Sequence, residues 1–351
     1  MEIMRNSELM DKVIVYGIGG TYRELKNDLP DNIEIIAYAD SDRGKSTSVT
    51  GELFEGHSVL SKEELLKTEF DYIYICTTYN NAWDITQDLV SLGIEKQKIR
   101  YLYRKYYDSE WNYELDNAGN TIHHVAGLNI LERKGDKSDF QTISELLCTN
   151  CYSLDFLHDN TVVIDAGMNI GLASLLFAKN EKVKKVYSYE PFKDTFDAAV
   201  RNISMNPEIQ DKIKPYNFAL YNCNEDKEIR VLSDFAGGRT TEFELIENVD
   251  DRGERKEYIR YRKASDIISA IIEENAESDI VCKIDTEGAE FSIFEDLEKA
   301  KIFGRISSIM MEYHRNPKPL INTLNNYGFI CVQNGHKNLG MIYAINMKIR
   351  E

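Results

Sequence analysis

The sequence predicts an α/β fold made of two units, each with a parallel sheet flanked by helices. Apolar segments of strand length alternate with segments of helical periodicity in residues 12–105. The same alternation returns at Thr161 and continues to the C-terminus. Because a crossover helix returns the chain to the same edge of a sheet, this alternation is typical of parallel strands. We therefore predict three parts, residues 1–105, 106–160 and 161–351, of which the second is a linker with a lid-like segment.

Length and charge limit the classes of function. The chain has 351 residues, which is enough for two domains. Its formal net charge of −17 argues against a nucleic-acid partner and against a basic membrane-binding face. The sequence contains no apolar run of membrane-spanning length, and residues 1–8 lack the apolar core of a signal peptide. We therefore expect a cytoplasmic protein that neither binds nucleic acid nor inserts into a membrane.

The six cysteines are expected to be reduced, because most of them lie in apolar runs. Cys148 and Cys151 form a lone C-x-x-C, for which His123 and His124 are the only nearby further ligands. A structural zinc site needs four ligands, and this spacing is a weak match to one. Packing of the thiols is therefore favoured over metal binding or redox chemistry.

The first unit opens with a strand, a glycine turn and a helix. Gly17 and Gly19 follow the strand at residues 12–17, and Asp40 ends the next strand about twenty residues later. This is half of the fingerprint of a dinucleotide-binding turn, but Tyr22 stands where the third glycine belongs. Two interpretations stay open: a site for a nucleotide or nucleotide-sugar, or a module that docks onto its neighbour and holds no ligand.

A second strand–helix–strand repeat completes this unit. Its strands are predicted at residues 70–77 and 99–103, with a helix at residues 82–92 between them, after the strand at residues 33–40. The spacing of these elements resembles the small Rossmann-like domain at the N-terminus of many bacterial sugar-modifying enzymes. That resemblance covers the whole unit.

The middle segment is dense in aromatic residues among charges. Extended runs at residues 111–115 and 121–124 flank a turn at residues 117–120. A helix is predicted at residues 139–147. The aromatic residues are more typical of packing than of a ligand platform.

The second unit opens on the most informative stretch of the chain. Residues 162–164 are apolar and β-branched and end at Asp165, after which Gly167 and Gly171 bracket a short turn into a helical pattern. Strand, glycine turn and helix form a geometry that points backbone N–H groups at a ligand. The pattern is D-x-G-x-N-x-G, so an acid precedes the first glycine. It suits an amine-bearing cation such as S-adenosylmethionine better than a pyrophosphate, and a turn without a ligand is the alternative.

Strands and helices continue to alternate after this turn. A strand at residues 185–190 ends on Glu190, which is placed to accept hydrogen bonds from ribose hydroxyls, with a solvent-facing glutamate as the alternative. Residues 234–256 are predicted as a long loop, a feature that is often functional. Further strands are predicted at residues 213–220, 257–262, 279–285, 306–313, 329–332 and 341–345, with helices at 264–272 and 319–327 and one opening at 286–290.

Four blocks of this unit resemble the FkbM family of S-adenosylmethionine-dependent methyltransferases. They stand in the order of that family, as VIDAGMNIG at residues 163–171, YEP at 189–191, KIDTEGAE at 283–290 and MEYH at 311–314. The match runs from about Asp139 to the C-terminus, and Met168 departs from the small residue usual in the family. The resemblance implies a class I methyltransferase fold with a seven-stranded, mostly parallel sheet, and O-methylation of small molecules or sugars.

The resemblance also implies which residues contact the cofactor, S-adenosylmethionine. The methionine portion would be held by Asp165, Gly167, Asn169 and Gly171. The ribose hydroxyls would be held by Glu190, and adenine would meet the backbone near Ala219. Additional contacts are implied for Tyr152 and Asn202. Each of these positions matches the family's pattern, with less weight on the last two.

Acceptor chemistry is predicted at the carboxyl ends of the fourth and fifth strands, where open α/β sheets bind ligands. The candidates are titratable residues near these strand ends: Asp285, Glu287, Glu290, Glu312 and His314. His314 has the most suitable ordinary pKa for a general base, with a capping histidine as the alternative. Lys283 interrupts an apolar strand, so we include it among the catalytic candidates and expect it to pair with a carboxylate. A divalent cation on Asp285, Glu312 and His314 is a further option, but we predict a site without metal.

The sequence therefore predicts an S-adenosylmethionine-dependent O-methyltransferase. Its acceptor is expected to be a hydroxyl of a small molecule, such as a sugar, a nucleotide-sugar or a glycan precursor. The first alternative is a nucleotide-sugar-binding or NAD-dependent sugar-modifying protein that acts through the first unit, although the three-glycine fingerprint is incomplete. The second is a binding module without chemistry. A homo-oligomer is compatible with the sequence.

Overall fold

The computed structural model describes residues 10–41, 53–102, 112–152, 158–231 and 255–349. The chain divides into two compact units, Met1–Ser109 with Ile143–Thr149, and Glu110–Thr142 with Asn150–Glu351. The boundaries predicted at residues 105 and 160, and the lid-like role of the segment between them, stay predictions. Most of the predicted loop at residues 234–256 lies outside the described residues. No helix within the described ranges combines the length and the apolar character that crossing a membrane requires.

The described strands of the first unit form a mostly parallel sheet with helices in its crossovers. The strands are β1 (Asp11–Tyr16), β2 (Ile33–Ala39), β3 (Leu53–Phe54), β4 (His57–Leu60), β5 (Tyr72–Ile75) and β6 (Ile99–Tyr101), and the helices are α1 (Gly20–Leu25), α2 (Lys62–Leu65) and α3 (Tyr79–Ser91), with 3₁₀ turns at Lys26–Asp28 and Lys96–Lys98. Their order is β3-β4-β2-β1-β5-β6, and β3 is antiparallel to β4. The predicted strands are confirmed, but the β3–β4 hairpin was missed, because β3 is too short to leave a hydrophobic pattern.

The second unit begins with an antiparallel meander. Its strands are β7 (Asn112–Leu115), β8 (Thr121–Val125) and β9 (Leu128–Glu132). The helix α4 (Lys137–Thr149) follows them in the chain and is divided between the two units at residue 143. The two predicted extended runs are confirmed as β7 and β8, and the predicted helix as α4. Strand β9, which pairs with β8 through a two-residue turn, was not predicted.

A mostly parallel sheet forms the centre of the second unit, and its seven described strands confirm the predicted class I fold. They are β10 (Thr161–Ala166), β11 (Val183–Tyr189), β12 (Ile213–Tyr216), β16 (Asp279–Ile284), β17 (Ser308–Tyr313), β18 (Phe329–Gly335) and β19 (Gly340–Asn346), in the order β12-β11-β10-β16-β17-β19-β18. Within this sheet, β19 is the strand that runs antiparallel to both of its neighbours. The helices are α5 (Leu172–Lys179), α6 (Lys193–Ser204), α7 (Ala264–Glu274), α8 (Glu290–Lys299) and α9 (Lys318–Asn326), with 3₁₀ turns at Gln210–Lys212, Ile302–Arg305 and Met347–Ile349.

A second, smaller sheet contains β13 (Ala219–Tyr221), β14 (Glu225–Val231) and β15 (Arg255–Lys263) in the order β13-β15-β14. The strand predicted at residues 213–220 is therefore divided between two sheets. The division falls at Asn217, whose side-chain amide donates to the carbonyls of Glu190 and Pro191. These bonds hold the chain in a turn between β12 and β13.

Strand order decides where a site can form in the second unit. The chain lays down β11 and β12 on one side of β10, then β16 and β17 on the other. At such a switch point the crossovers leave in opposite directions, so a crevice opens outside the carboxyl ends of the strands. The core beneath is tightly apolar, since Val162, Val163 and Ile164 of β10 are buried on both faces of the sheet.

Candidate active site

The glycine turn, residues 167–171, connects β10 to α5 as predicted. The N–H groups of Gly167 and Met168 both donate to the carbonyl of Tyr189, at 3.0 and 2.9 Å. Asn169 has a positive φ of 51°, which asparagine tolerates better than most residues. Its N–H donates to Glu190 Oε2 at 3.0 Å. The turn is therefore anchored along its length to the end of β11.

Gly167 is where the end of β16 approaches the turn most closely. Its φ is 83°, and a Cβ built there would lie 1.6 Å from the carbonyl oxygen of Asp285. No side chain fits in that space, so this close approach requires glycine. At the other end of the turn, Gly171 has a φ of 86° and begins α5. A Cβ on Gly171 would lie 3.3 Å from Cβ of Ala199.

Asp165 lies beneath the turn, inside the sheet. Its side chain is fully buried, one carboxylate oxygen accepts a hydrogen bond from the Ser174 hydroxyl, and the other lies 3.2 Å from Lys283 Nζ. Asp165 therefore supports the turn from within the sheet. Its predicted contact with the methionine portion of the cofactor stays a prediction.

The expected pairing of Lys283 with a carboxylate is confirmed. Its Nζ lies 3.2 Å from Asp165 Oδ1 and 3.7 Å from Asp285 Oδ2, and it donates to the carbonyl of Gly167. Burial lowers the pKa of Lys283, but the two aspartates outweigh burial and raise the pKa above its ordinary value. The side chain is 2% exposed, so it does not reach a substrate. Its assignment as a catalytic residue stays a prediction that this burial does not favour.

Glu190 directly follows β11 and lies beside the glycine turn. Its Oε1 accepts the N–H of Phe192 and its Oε2 that of Asn169, both at 3.0 Å. The carboxylate is thus fixed in one orientation by the backbone. Each of its oxygens can accept more than one hydrogen bond, so its role toward the ribose hydroxyls stays a prediction.

The early end of β12 changes the assignment of Ala219. Ala219 is the first residue of β13 and pairs with Tyr261, in the smaller sheet. Its predicted contact with adenine stays a prediction, although that part of the backbone belongs to the smaller sheet. Tyr216 and Phe218 occupy the strand end instead, with ring centroids 5.3 and 5.2 Å from that of Tyr189. These two rings were not predicted as site residues, because the strand was predicted to run through them to residue 220.

Asn202 also has a structural role. It is fully buried in α6, its Nδ2 donates to the carbonyl of Ile170 at 2.9 Å, and its Oδ1 accepts the N–H of Leu131 at 2.7 Å. Both ends of the amide are thus occupied by backbone. Asn202 therefore joins the glycine turn to β9, and its predicted contact with the cofactor stays a prediction.

Replacing Asn202 by alanine should destabilise the second unit. The change leaves two buried backbone groups unpaired, and each costs about 1–3 kcal/mol of unfolding free energy. Urea unfolding measures the loss. Asn222→Ala, at an exposed amide that donates to Glu295, is the control and should stay within about 0.5 kcal/mol of wild type. Unchanged stability with weaker cofactor binding would return Asn202 to the role of a ligand contact.

Tyr152 lies against the strand-end carboxylates. Its hydroxyl donates to Asp285 Oδ2 at 2.8 Å, and Lys283 Nζ lies 5.2 Å from the centroid of its ring. Burial, together with the negative charge of Asp285, raises the pKa of Tyr152 well above its ordinary value. The hydroxyl therefore stays protonated and orients Asp285. Its predicted cofactor contact stays a prediction.

An acid–histidine cluster, made of Asp285, Glu287, Glu290 and His314, occupies the ends of β16 and β17. His314 Nε2 lies 3.2 Å from Glu287 Oε2, and its Nδ1 lies 3.3 Å from Glu290 Oε1. Glu290 is fully buried and also accepts the backbone N–H groups of His314 at 2.9 Å and Gly288 at 2.8 Å. Glu290 thus fixes the imidazole ring, and Nε2 faces Glu287.

The cluster changes the proton affinity of its members. Burial lowers the pKa of His314, but its hydrogen bond to Glu290 and the nearby charge of Glu287 outweigh burial and raise that pKa to about 10. Burial raises the pKa of Glu287 to about 8, with His314 opposing and Asp285 adding to the rise. Because the two groups interact strongly, these values describe the titration of the pair. The imidazole is therefore protonated at neutral pH, and Glu287 exchanges its proton close to neutrality.

Three donor atoms of Asp285, Glu287 and His314 lie within 4.8 Å of one another. Nitrogen and carboxylate oxygen donors at this spacing fit a divalent cation. Glu312, the third member of the cation option raised by the sequence, lies outside this group of donors, although its charge raises the pKa of Glu287. The absence of metal stays a prediction.

Part of the second unit is similar to a known family of proteins. Residues 165–331, which include the glycine turn and the acid–histidine cluster, match the family model of the methyltransferase FkbM domain. Residues 165–331 are thus similar to the FkbM methyltransferase domain. The predicted family resemblance is thus confirmed for this unit. Residues 9–100 match a second family model, described as C2185-like, N-terminal.

Individual relatives of the FkbM domain are distant. Methyltransferase sdnD of Sordaria araneosa is 34% identical over 62 residues, which are 18% of this chain and 24% of that protein. The chain thus matches about a quarter of the length of this curated relative. Among solved structures, methyltransferase FkbM of Methylobacillus flagellatus KT is 16% identical over 95% of this chain and 90% of its own, with a TM-score of 0.36. A putative tRNA (m1A22) methyltransferase of Streptococcus pneumoniae, in complex with S-adenosyl-L-methionine, is 12% identical over 54% and 68%, with a TM-score of 0.33.

The glycine turn of the first unit, outside the FkbM domain, is formed as the sequence suggested. Gly17 has a φ of 99°, and a Cβ there would lie 2.6 Å from the carbonyl oxygen of Cys76. Asp40 Oδ2 accepts the N–H of Ile18 at 3.0 Å, and Gly19 directly precedes α1. Asp40 therefore stabilises this turn. Nucleotide binding by these three predicted residues stays a prediction.

Tyr22 explains why the third glycine is missing. Its ring packs edge-on against Tyr38 and Phe54, at centroid distances of 5.6 Å. Its hydroxyl lies 2.9 Å from that of Tyr38 and donates to Glu55 Oε2 at 2.7 Å. A side chain at position 22 thus joins α1 to β2 and the β3–β4 hairpin.

Proposed function

We propose that the protein is an S-adenosylmethionine-dependent O-methyltransferase. One observation carries this proposal: a turn suited to the methyl donor and an acid–histidine cluster lie at the same edge of one sheet, with the backbones of Gly167 and Asp285 in direct contact. The match to a methyltransferase family model supports it. We further propose that the acceptor is a hydroxyl of a carbohydrate, such as a sugar, a nucleotide-sugar or a glycan precursor.

Features of this crevice fit the cofactor. Gly167 adds no side chain between the turn and the end of β16, and Glu190 supplies a carboxylate with a fixed orientation. The rings of Tyr216 and Phe218 are half-buried at the end of β12, where a flat heterocycle can stack. When bound, S-adenosylmethionine supplies an electrophilic methyl group. The turn and Glu190 would hold it, so that an acceptor approaches from the side of the acid–histidine cluster.

The acid–histidine cluster would take the proton of the acceptor hydroxyl. His314 is protonated at neutral pH, so it cannot accept a proton in that state. Glu287, which is 27% exposed and has a pKa near neutrality, is better suited as the general base. The imidazolium would stabilise the carboxylate form of Glu287, and Glu290 would hold the imidazolium in place. Glu287 thus replaces His314 as our candidate base.

The proposal is tested by two measurements on the full chain. Calorimetric titration with S-adenosylhomocysteine should give one binding event per chain. Transfer of a labelled methyl group to a panel of sugars and nucleotide-sugars should then identify the acceptor class. A chain that binds no S-adenosylhomocysteine would contradict the proposal, while transfer only to amines would contradict O-methylation. Parallel titration with nucleotides tests the alternative role of the first unit.

Glu287→Gln should abolish most of the proton transfer. We expect kcat to fall by about 10²–10⁴-fold, the usual contribution of a general base. The dissociation constant for S-adenosylhomocysteine should not change, because the glycine turn is untouched. Glu295→Gln, at an exposed glutamate of α8 paired with Lys299, is the control. If Mg²⁺ removal by EDTA stops transfer and Mg²⁺ restores it, a bound cation would replace Glu287 as the activating group.

The pH dependence of kcat/KM should follow the titration of the Glu287–His314 pair. We expect kcat/KM to rise as pH passes through about 8, where Glu287 loses its proton, and to fall above about 10, where His314 does. Glu287→Gln should remove the rising limb. A rising limb near pH 6.5 that survives Glu287→Gln would instead identify His314 as the base.

A further inference from the structure

We propose that Lys283 is a positioning residue. It locks the glycine turn to the end of β16, and this fixes the position of the methyl donor relative to the acid–histidine cluster. The inference rests on the proposed function for the identity of the ligands. The lock itself consists of contacts within the chain.

The sheet places Lys283 opposite Asp165. The two residues are direct partners in the parallel pairing of β10 with β16, so their side chains point to the same face. Both are enclosed, with exposed fractions of 2% and 0%. The two charged groups must stay paired with each other, because neither side chain can turn to solvent.

The lysine nitrogen has three partners. It donates a hydrogen bond to the carbonyl of Gly167, and it forms ion pairs with Asp165 Oδ1 at 3.2 Å and Asp285 Oδ2 at 3.7 Å. The first belongs to the glycine turn, the second to β10 and the third to the end of β16. One ammonium group therefore joins the three segments that border the crevice.

Removing this cation would release the turn. The carbonyl of Gly167 would lose its donor, and Asp165 and Asp285 would face one another without a cation between them. The repulsion between the two carboxylates would push the end of β16 away from the glycine turn, because the backbones of Gly167 and Asp285 are in direct contact. A small displacement of this kind costs rate as well as affinity, since methyl transfer requires aligned reactants.

The test separates positioning from simple charge balance. Lys283→Met leaves Asp165 buried without its cation, so the single variant is compared with the double variant D165N/K283M. In the double variant the pair is neutral, and the amide introduced by D165N still offers an acceptor to the Ser174 hydroxyl. Three readouts are taken for each protein: unfolding free energy, affinity for S-adenosylhomocysteine, and hydrogen exchange at the amides of Gly167 and Met168. Lys263→Met, which removes the 3.6 Å partner of the buried Asp296, is the matched control.

We expect K283M to lose stability and to bind S-adenosylhomocysteine about 10²-fold more weakly. The double variant should regain stability but not affinity, and exchange at both amides should stay faster than in the wild-type protein. K263M should change neither affinity nor exchange. The inference is wrong if the double variant recovers affinity and slow exchange along with stability, or if K283M keeps both. If the wild-type protein does not bind S-adenosylhomocysteine, the proposed function fails, and the exchange readout still decides on the lock.

Discussion

Replacing Gly167 by alanine is expected to abolish binding of S-adenosylhomocysteine and to destabilise the second unit strongly. An alanine Cβ would lie 1.6 Å from the carbonyl oxygen of Asp285, and the φ of 83° is unfavourable for any residue with a side chain. The clash is with backbone, so no rotamer change relieves it. The turn or the end of β16 must move, and we expect a loss of about 4 kcal/mol or more in the free energy of unfolding.

Urea unfolding and calorimetric titration measure the two effects of G167A. Gly304→Ala is the matched control, because a Cβ at Gly304 meets no atom within 4 Å and φ is not in the left-handed region. It should leave both stability and affinity unchanged. A G167A variant with wild-type affinity would show that the close contact between the turn and Asp285 does not exist in solution.

Glu290→Gln is expected to have the second largest effect. The carboxylate of Glu290 is fully buried and accepts hydrogen bonds from the backbone of Gly288 and from the backbone and ring of His314. Glutamine removes the charge that compensates the imidazolium, and breaking a buried pair typically costs about 3–5 kcal/mol. The pKa of His314 should fall, because the hydrogen bond to Glu290 is the main interaction that raises it.

This change should also alter how stability depends on pH. The pKa of His314 is raised from 6.5 to about 10 in the folded protein, so its stabilising contribution is complete below pH 6.5 and is lost as pH rises through about 10. Wild-type stability should therefore fall between these values. In E290Q the loss of stability should be complete at a lower pH, because the pKa of His314 is lower.

Urea unfolding at pH 6, 8 and 10, with NMR titration of His314, tests this expectation. Glu298→Gln, at a glutamate of the same helix whose carboxylate accepts from the Thr323 hydroxyl at an exposed site, serves as the control. If His314 titrates near 6.5 in the wild-type protein, the cluster does not hold its proton, and His314 returns as the candidate base.

Several features of this protein follow from local sequence patterns. The β-branched run before Asp165 predicted β10, and the spacing of Gly167 and Gly171 predicted the turn, because both depend on residues close together in the chain. A lysine inside an apolar strand predicted a paired cation, and Asp165 and Asp285 confirm it. Burial of charge has few solutions, so this inference needs no knowledge of the partner.

Other features depend on contacts between distant segments. Ala219 was assigned to the wrong sheet, because the turn at Asn217 is held by the carbonyls of Glu190 and Pro191, which no local pattern indicates. The burial of Asn202 was not predicted, since a buried amide and an exposed one have the same sequence signature. Strand β9 was missed because its stability comes from β8 and α6.

The sequence by itself determined the α/β architecture, the glycine turn and the candidate acids at the strand ends, because each follows from periodicity or from short spacing. Only the tertiary structure decided the roles. It enclosed Asp165 with Lys283, exposed part of Glu287, and fixed His314 against Glu290. The physical reason is that a carboxylate's function depends on its burial and on its partners, and both come from strands that are far apart in sequence.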